Sequence, residues 1–176
     1  MTGSVVLIAS ALYLCLCLIY ASDAPSLVMG IDLGTESARA GIFTLDGKLI
    51  SQSVAPYRTF YPKPGHVEQR PADWLESMRT ACKEALEKGG VDAASIKGLA
   101  VDTTACSVVF LGQDCEPVSN CILYCDARSA PQTRKIIEKA RGDPALAVCN
   151  DGLGPISAEW MIPKCINCLS LYTTRF

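Results

Sequence analysis

The chain has 176 residues, 49% of them hydrophobic, so it is long and apolar enough to bury a domain-sized core. Its 16 basic and 18 acidic side chains are interspersed and give a formal net charge of −2. This composition argues against intrinsic disorder, and the lack of a basic stripe argues against nucleic acid as a partner.

Ten cysteines are scattered among segments that can build a core unaided, so most are expected to be buried thiols rather than a disulfide framework. Cys165 and Cys168 form one CxxC pair. Cys121 and Cys125 could be recruited as a second pair, but the three-residue gap between them and the long span between the pairs fit zinc modules poorly. A zinc site is therefore disfavoured.

The amino terminus carries an uncharged apolar run over residues 5–20. As a helix this run would span about 24 Å, less than the ~30 Å hydrocarbon core of a membrane. Its length suits a signal peptide, and small residues follow at Ala21, Ser22 and Ala24, yet no Lys or Arg precedes it. Three interpretations of residues 1–26 stay open: a secretory leader, a short membrane anchor, and an extension introduced by a gene model.

From residue 27 onward the pattern predicts a three-stranded antiparallel meander. Two apolar runs, 27–33 and 40–45, are separated by a tight polar turn. Asp46-Gly47 is a hairpin turn signal, and residues 48–54 alternate behind it.

Helices and further strands follow the meander. Pro71 is a favoured first helical residue, apolar residues then recur at three-to-four spacing, and Gly89-Gly90 ends the helix. Three strands, the first expected to be buried, and a second helix are predicted over residues 96–101, 107–111, 121–124 and about 130–140. This order indicates an α/β domain with a mixed sheet.

The turn after the first strand reads Asp32-Leu-Gly-Thr-Glu-Ser and has the composition of a phosphate-binding turn. A nucleotide needs N–H and hydroxyl donors for its phosphates and a carboxylate that can hold Mg²⁺ or its waters. Asp32 supplies the carboxylate, and Gly34 leaves space where phosphates would pass. Thr35 and Ser37 offer donors, and Arg39 adds positive charge. The alternative is an ordinary hairpin with a polar turn.

Four segments in order give this turn its context: MGIDLGTESARAGIFTLDGKLI, YPKPGHVEQRPADW, IKGLAVDTTACSVVFL and LYCDARSA. Together they resemble the amino-terminal half of the FGGY carbohydrate kinases, from about residue 28 to Lys164. The first segment is also shared with actin, heat-shock chaperones and hexokinase-type proteins, whereas the later ones select sugar kinases. The resemblance implies a ribonuclease-H-like, actin-like fold of two domains that close on ATP and Mg²⁺, with a sugar or polyol bound against the first.

The resemblance also implies roles for the residues of the turn. Asp32 falls where the family places its magnesium-associated aspartate, so it is the expected metal residue. Thr35, Glu36, Ser37 and Arg39 fall at the phosphate-loop positions. Glu36 replaces the commoner hydroxyl residue, and because phosphate would repel its carboxylate, it is expected to be only a neighbour of the site.

Two later segments are expected to contact the sugar. Asp102, Thr103 and Thr104 lie in VDTTACS at a strand end, which resembles the ribulokinase type more than the Gln-Met-His stretch of xylulokinase-like members. Asp126 and Arg128 match the family's Asp-x-Arg, with Tyr-Cys before them in place of the usual Trp-centred pair. Polar groups at strand tips can bind sugar hydroxyls. The structural alternatives are threonines that satisfy a turn, and an Asp126 that caps the next helix and pairs with Arg128.

The loop before the first helix carries the single histidine, His66. A general base needs a positioned partner, and none is evident, so His66 is interpreted as a loop or interface residue. Glu68 and Gln69 are interpreted as structural residues that hold the start of the helix at Pro71.

Family members continue for several hundred residues, and the resemblance places their catalytic aspartate, second phosphate segment and adenine pocket in that later part. In this chain residues 165–176 diverge and lose the helical polarity pattern. We therefore expect a partial kinase domain over residues 27–164 and a divergent tail. A splice product, a retained intron or an incomplete gene model would explain it. Because loss of a general base alone costs roughly 10²- to 10⁴-fold in rate, the chain alone is expected to be inactive.

Two functions follow from different classes. The first is an ATP-dependent sugar kinase acting on a ketopentose such as ribulose or xylulose. The second is a non-catalytic module that binds sugar or a partner, with membrane contact through residues 5–20. ATP chemistry favours the cytoplasm, whereas the apolar leader leaves secretory or membrane targeting open. The sequence does not indicate an oligomeric state.

Overall fold

The computed structural model describes residues 26–141, 143–144 and 156–173. The predictions about the apolar leader lie outside these residues, except for residue 26. In the described ranges no helix combines the length and apolarity needed to cross a membrane.

Four strands form the main sheet, and the other described elements are three short strands, three α-helices and one 3₁₀ turn. In chain order the elements are β1 (Leu27–Leu33), β2 (Ser37–Thr44), β3 (Leu49–Pro56), β4 (Thr59–Phe60), β5 (Glu68–Gln69), α1 (Pro71–Gly89), a 3₁₀ turn (Ala93–Ser95), β6 (Ile96–Thr103), β7 (Cys121–Ile122), α2 (Ala130–Ala140) and α3 (Met161–Thr173).

The main sheet has the order β3-β2-β1-β6. The first three strands are antiparallel neighbours, and β6 lies parallel to β1. The predicted meander and mixed sheet are therefore confirmed. β2 begins at Ser37, earlier than predicted, because Ser37 and Ala38 are already buried and paired to β3.

Helix α1 covers one face of this sheet and closes the core. It starts at Pro71 and is capped by Gly90 in the left-handed conformation at φ 59°, as the proline and glycine signals predict. The buried residues of this helix are small, so the helix can pack close to the strands. The buried core comprises Leu27, Met29, Ile31, Ala38, Ala40, Ile42, Ala55, Ala81 and Ala85.

The prediction that the strand starting at residue 96 is buried is wrong. Leu99 is 67% exposed and Val101 is 60% exposed. Within the described residues β6 pairs only with β1, so it is an edge strand. An apolar run alone does not distinguish a central strand from an edge strand.

A second, three-stranded sheet has the order β4-β5-β7. The predicted strand over residues 107–111 is wrong, because only isolated bridges form, from Val108 to Ile122 and from Leu111 to Pro117. The predicted strand at 121–124 shortens to Cys121–Ile122. Helix α2 spans residues 130–140, which confirms the second predicted helix.

The carboxy-terminal segment forms a helix that was not predicted, although residues 165–176 lack a helical polarity pattern. Helix α3 runs over Met161–Thr173. Most of its residues are apolar, so the sequence shows no alternation between a polar and an apolar face. Pro163 lies in its first turn, where a missing backbone N–H breaks no helical hydrogen bond.

The expectation of mostly buried thiols is also wrong for the described cysteines. All seven are free, and only Cys121 is buried, where burial raises the pKa of its thiol to about 12. Cys106, Cys115 and Cys125 are exposed because they lie in the connections around β7 rather than in the core.

Candidate functional site

Two carboxylates lie side by side at the ends of adjacent parallel strands. Asp32 of β1 is paired with Asp102 of β6, and each lies one residue before the end of its strand. Parallel strands bring their carboxyl ends to one edge of a sheet, where α/β proteins usually bind ligands. The structure therefore brings together a predicted metal residue and a predicted sugar residue.

Both carboxylates line an open cavity of about 400 Å³ on the sheet. Its floor is built from residues with small side chains or none, such as Gly30 and Gly41. A Cβ added to Gly41 would lie 2.8 Å from the Phe43 ring, so a larger residue there would force this ring to move. The remaining lining residues are Ile31, Arg39, Ala40, Phe43, Gln52, Ala100 and Val101.

Arg39 of β2 forms an ion pair with Asp32, with 2.7 Å between Nη1 and Oδ2. The two side chains are 55% and 40% exposed, so the pair adds little to stability and leaves the Asp32 carboxylate accessible. A Cβ on Gly34 would lie 3.4 Å from Nη1 of Arg39 and 3.6 Å from Oδ2 of Asp32. A side chain at this position would therefore be in ordinary van der Waals contact with the ion pair.

The β1–β2 turn continues directly from Asp32. The N–H of Gly34 donates to the carbonyl of Ser37 over 3.1 Å, which closes the turn. Gly34, Thr35 and Ser37 do not line the cavity. Ser37 is buried as the first residue of β2, whereas Thr35 is half-buried and Glu36 is exposed. Among the phosphate-loop residues, the structure therefore brings only Asp32 and Arg39 into the cavity itself.

Tyr57 lies behind the turn, and its hydroxyl donates to the carbonyl of Gly34. Burial raises the pKa of Tyr57, the charge of Asp32 raises it further, and Arg39 opposes both. The phenol therefore stays protonated and remains a hydrogen-bond donor to the turn.

The predicted sugar segment follows β6. Oδ1 of Asp102 accepts the N–H of Thr103 over 2.9 Å, which leaves its other oxygen free of hydrogen bonds from the described residues. Oγ1 of Thr104 lies 3.1 Å from Oγ of Ser107, which in turn accepts the N–H of Tyr124 over 3.2 Å. Asp102 and Thr103 are thus exposed at the sheet edge, whereas Thr104 takes part in a local turn.

Asp126 and Arg128 form a buried ionic cluster that does not line the cavity. Nη2 of Arg128 lies 2.8 Å from Oδ2 of Asp126 and 2.7 Å from Oε1 of Glu68. The N–H of Val67 also donates to Asp126 over 2.6 Å. This is the pairing named as the structural alternative, with Glu68 as an additional partner, and the structure does not bring it to Asp32.

The cluster shifts both carboxyl pKa values downward. Burial disfavours the charged form of Asp126, but hydrogen bonds from Arg128 and Val67 outweigh it and hold the pKa below its usual value. At Glu68 burial again opposes ionisation, and hydrogen bonds from Asn120 and Arg128 lower the pKa. Both groups are therefore ionised near neutral pH and act in folding rather than in proton transfer.

Lys164 is a buried cation that the sequence analysis did not single out. Its side chain is 0% exposed, and Nζ donates to the carbonyls of Cys106, Tyr124 and Glu159. Burial lowers its pKa. Lys164 therefore ties helix α3 to the loop after the predicted sugar segment. A single charged residue, the lysine within MIPKCINCLSL, was the only sequence signal for this role.

A family model described as "FGGY family of carbohydrate kinases, N-terminal domain" matches residues 27–149. The xylulose kinase of Bacillus subtilis is 32% identical over 112 residues, covering 64% of this chain and 22% of that protein. The ribulokinase of Mycolicibacterium smegmatis is 32% identical over 167 residues, covering 80% of this chain and 29% of that protein. The chain thus spans less than a third of the length of these relatives.

Solved structures share the fold. A xyloylose kinase from Brucella ovis superposes with a TM-score of 0.74 at 21% identity, covering 84% of this chain and 30% of that one. Plasmodium falciparum glycerol kinase with ADP gives a TM-score of 0.72 at 14% identity, covering 83% and 29%. At these identities the likeness establishes the fold alone.

Proposed function

The chain belongs to the FGGY family of carbohydrate kinases, and on that premise we propose that it supplies the first part of the active site of an ATP-dependent ketopentose kinase. Its ribonuclease-H-like, actin-like fold is the one implied by the sequence resemblance. The observation that carries the proposal is the placement of Asp32 and Asp102 on adjacent parallel strands beside the β1–β2 turn. The ADP of the similar Plasmodium glycerol kinase supports a nucleotide ligand.

The residues at this cavity fit a magnesium nucleotide. Mg²⁺ prefers carboxylate and water oxygens, and the carboxylates of Asp32 and Asp102 are both accessible at the cavity. Asp32 would hold the ion or its waters, and Mg²⁺ would neutralise phosphate charge. Arg39 orients the Asp32 carboxylate and adds positive charge. The backbone of the turn at Gly34 and Thr35 positions the phosphates, because phosphoryl transfer depends mainly on positioning and electrostatic stabilisation.

The acceptor is proposed to bind next to Asp32, at the end of β6. There the Asp102 carboxylate and the Thr103 hydroxyl can form hydrogen bonds with sugar hydroxyls. A sugar that lacks one of these hydroxyls would leave a polar group of the protein unpaired. Xylulose and ribulose kinases among the relatives favour a ketopentose. We propose that Asp126 and Arg128 contribute to sugar binding only indirectly, because they are buried in a separate ionic cluster. Because ATP is the donor, a cytoplasmic location is part of the proposal.

We test the proposed function by joining the chain to the part of the Bacillus subtilis xylulose kinase that follows its matched region. ADP release is measured with ribulose, xylulose and glycerol. We expect release with a ketopentose to exceed release with glycerol roughly tenfold or more, and no sugar-dependent release by the 176-residue chain alone. A fusion that melts cooperatively but phosphorylates no ketopentose would contradict the substrate, and sugar-dependent turnover by the chain alone would contradict its inactivity.

A second candidate function is a non-catalytic, partner-binding module. The observation that favours it is an apolar groove of about 660 Å³ between α1 and β6, which is lined in part by the exposed Leu99. A sheet edge with apolar side chains is a common site of strand addition. The fusion assay separates the two functions, because a binding module would not restore ketopentose-dependent ADP release.

A further inference from the structure

The backbone of the β1–β2 turn is held from one side by two residues. The carbonyl of Gly34 accepts the hydroxyl of Tyr57, and the carbonyl of Glu36 accepts the Tyr57 N–H over 3.1 Å. Between them, the carbonyl of Thr35 accepts Nε2 of Gln69 over 2.7 Å. Three consecutive carbonyls of the turn therefore point toward the side chain or backbone of Tyr57 and Gln69.

This arrangement fixes the direction of the N–H groups of the turn. In a trans peptide the C=O of one residue and the N–H of the next point in opposite directions, and the described residues contain no cis peptide bond. The N–H of Thr35 thus points away from Tyr57, and the N–H of Glu36 points away from Gln69. Neither N–H donates to another group in the described part of the chain. Two successive donors are left available on the outer side of the turn, an arrangement suited to an anion.

Gln69 is itself held in one orientation. It is buried, its Oε1 accepts Nε1–H of Trp74 over 2.8 Å, and its Nε2 also donates to Oγ1 of Thr59 over 2.8 Å. The indole N–H is only a donor, so it requires the oxygen of the amide and turns the NH₂ group toward Thr35. Helix α1, which carries Trp74, thus sets the conformation of the turn through Gln69.

We propose that Tyr57 and Gln69 are positioning residues that direct the N–H groups of Thr35 and Glu36 at phosphate oxygens of Mg·ATP. This inference rests on the proposed function. It also accounts for an acidic residue in the turn, because the exposed Glu36 contributes its backbone N–H and not its carboxylate. Tyr57 and Gln69 act through the turn and touch no substrate themselves.

The test uses the full 176-residue chain and Mg·ATP as the probe, with affinity measured by calorimetric titration. Tyr57→Phe removes one carbonyl partner and keeps the ring, and Gln69→Glu places an acceptor opposite the Thr35 carbonyl. We expect each to raise the Kd roughly five- to tenfold, the loss of about one hydrogen bond. Ser77→Ala is the matched control, because it removes a 3.0 Å hydrogen bond to the Pro56 carbonyl but none of the hydrogen bonds to the three turn carbonyls. Its Kd should stay within about twofold.

The outcomes distinguish this inference from the function on which it rests. If the unmodified chain does not bind Mg·ATP saturably, the positioning role fails, whereas the proposed function is decided by the fusion assay, because it assigns this chain only the first part of the active site. If the chain binds but both variants bind equally well, only the positioning role is overturned. A thermal melt is recorded for every variant. If Ser77→Ala loses as much Tm as Tyr57→Phe and Gln69→Glu and raises the Kd as much as they do, the positioning role is also overturned. If Tyr57→Phe does not fold, Gln69→Glu decides.

Discussion

Replacing Arg128 with methionine lowers the free energy of unfolding by about 3–5 kcal/mol, because it leaves buried carboxylates without their counter-ion. Asp126 is 0% exposed and Glu68 is largely buried, and both accept hydrogen bonds from the guanidinium. The measurement is urea unfolding of the 176-residue chain followed by circular dichroism. Arg79→Met is the matched control. Arg79 is 72% exposed and 3.9 Å from Glu76, so its loss should change stability by less than about 0.5 kcal/mol.

The pH dependence of the same variant gives a second readout. In the native cluster the pKa values of Asp126 and Glu68 are lowered below 3.8 and 4.5, so their contribution is complete above about pH 4.5 and is lost as pH falls toward the native values. In Arg128→Met, protonation relieves the unpaired buried charges. The stability gap between the two proteins should therefore narrow from about pH 5 to pH 3. A gap that stays constant over this range would contradict the ionic role of the cluster.

Replacing Asp32 with alanine in the fusion kinase is expected to lower kcat/KM by roughly 10²- to 10³-fold, the usual cost of removing a preorganised electrostatic group. The loss should not reflect unfolding, because the Asp32–Arg39 pair is largely exposed and contributes at most about 1 kcal/mol. Steady-state kinetics at several Mg²⁺ concentrations provide the measurement, and the variant should require more Mg²⁺. Asp46→Ala, in the exposed Asp46-Gly47 hairpin, removes the same charge away from the site and should be near neutral.

A fusion carrying Asp32→Ala that keeps normal kcat/KM and the normal Mg²⁺ requirement would refute the magnesium role of this residue. An equal loss in Asp46→Ala would point instead to a general effect of charge on the chain. Circular dichroism of each variant excludes a trivial loss of structure.

The elements predicted well are those whose signals are local. The meander and α1 depend on period-2 alternation, on Asp46-Gly47 and on the Pro71 and Gly90 boundaries, all within a few residues of each other. The burial of β6 depends instead on what covers it, and an apolar run such as Ile96–Val101 reads the same at a sheet edge as in its centre. Helix α3 was missed for a related reason, since its residues are apolar on nearly every side.

The candidate site also combines features that local sequence signals predict with features that they do not. The turn motif placed Asp32 and Arg39 together because they face each other across a hairpin. The parallel pairing of β6 with β1 then explains why Asp102 lies beside Asp32. The contacts of Lys164 span up to 58 residues and those of Arg128 with Glu68 span 60, and no local pattern encodes such contacts. Sequence reasoning therefore found the polar turn but not the residues that fix it.

The most direct measurement is a titration of the ¹⁵N-labelled 176-residue chain with ATP, with and without Mg²⁺, followed through individual amide signals. A phosphate-binding turn predicts saturable shifts of the Thr35 and Glu36 amide signals that require Mg²⁺ and are absent from the Asp32→Ala variant. Absence of any shift at these amides at millimolar Mg·ATP, or shifts confined to the α1–β6 groove around Leu86 and Leu99, would show that the turn does not bind phosphate.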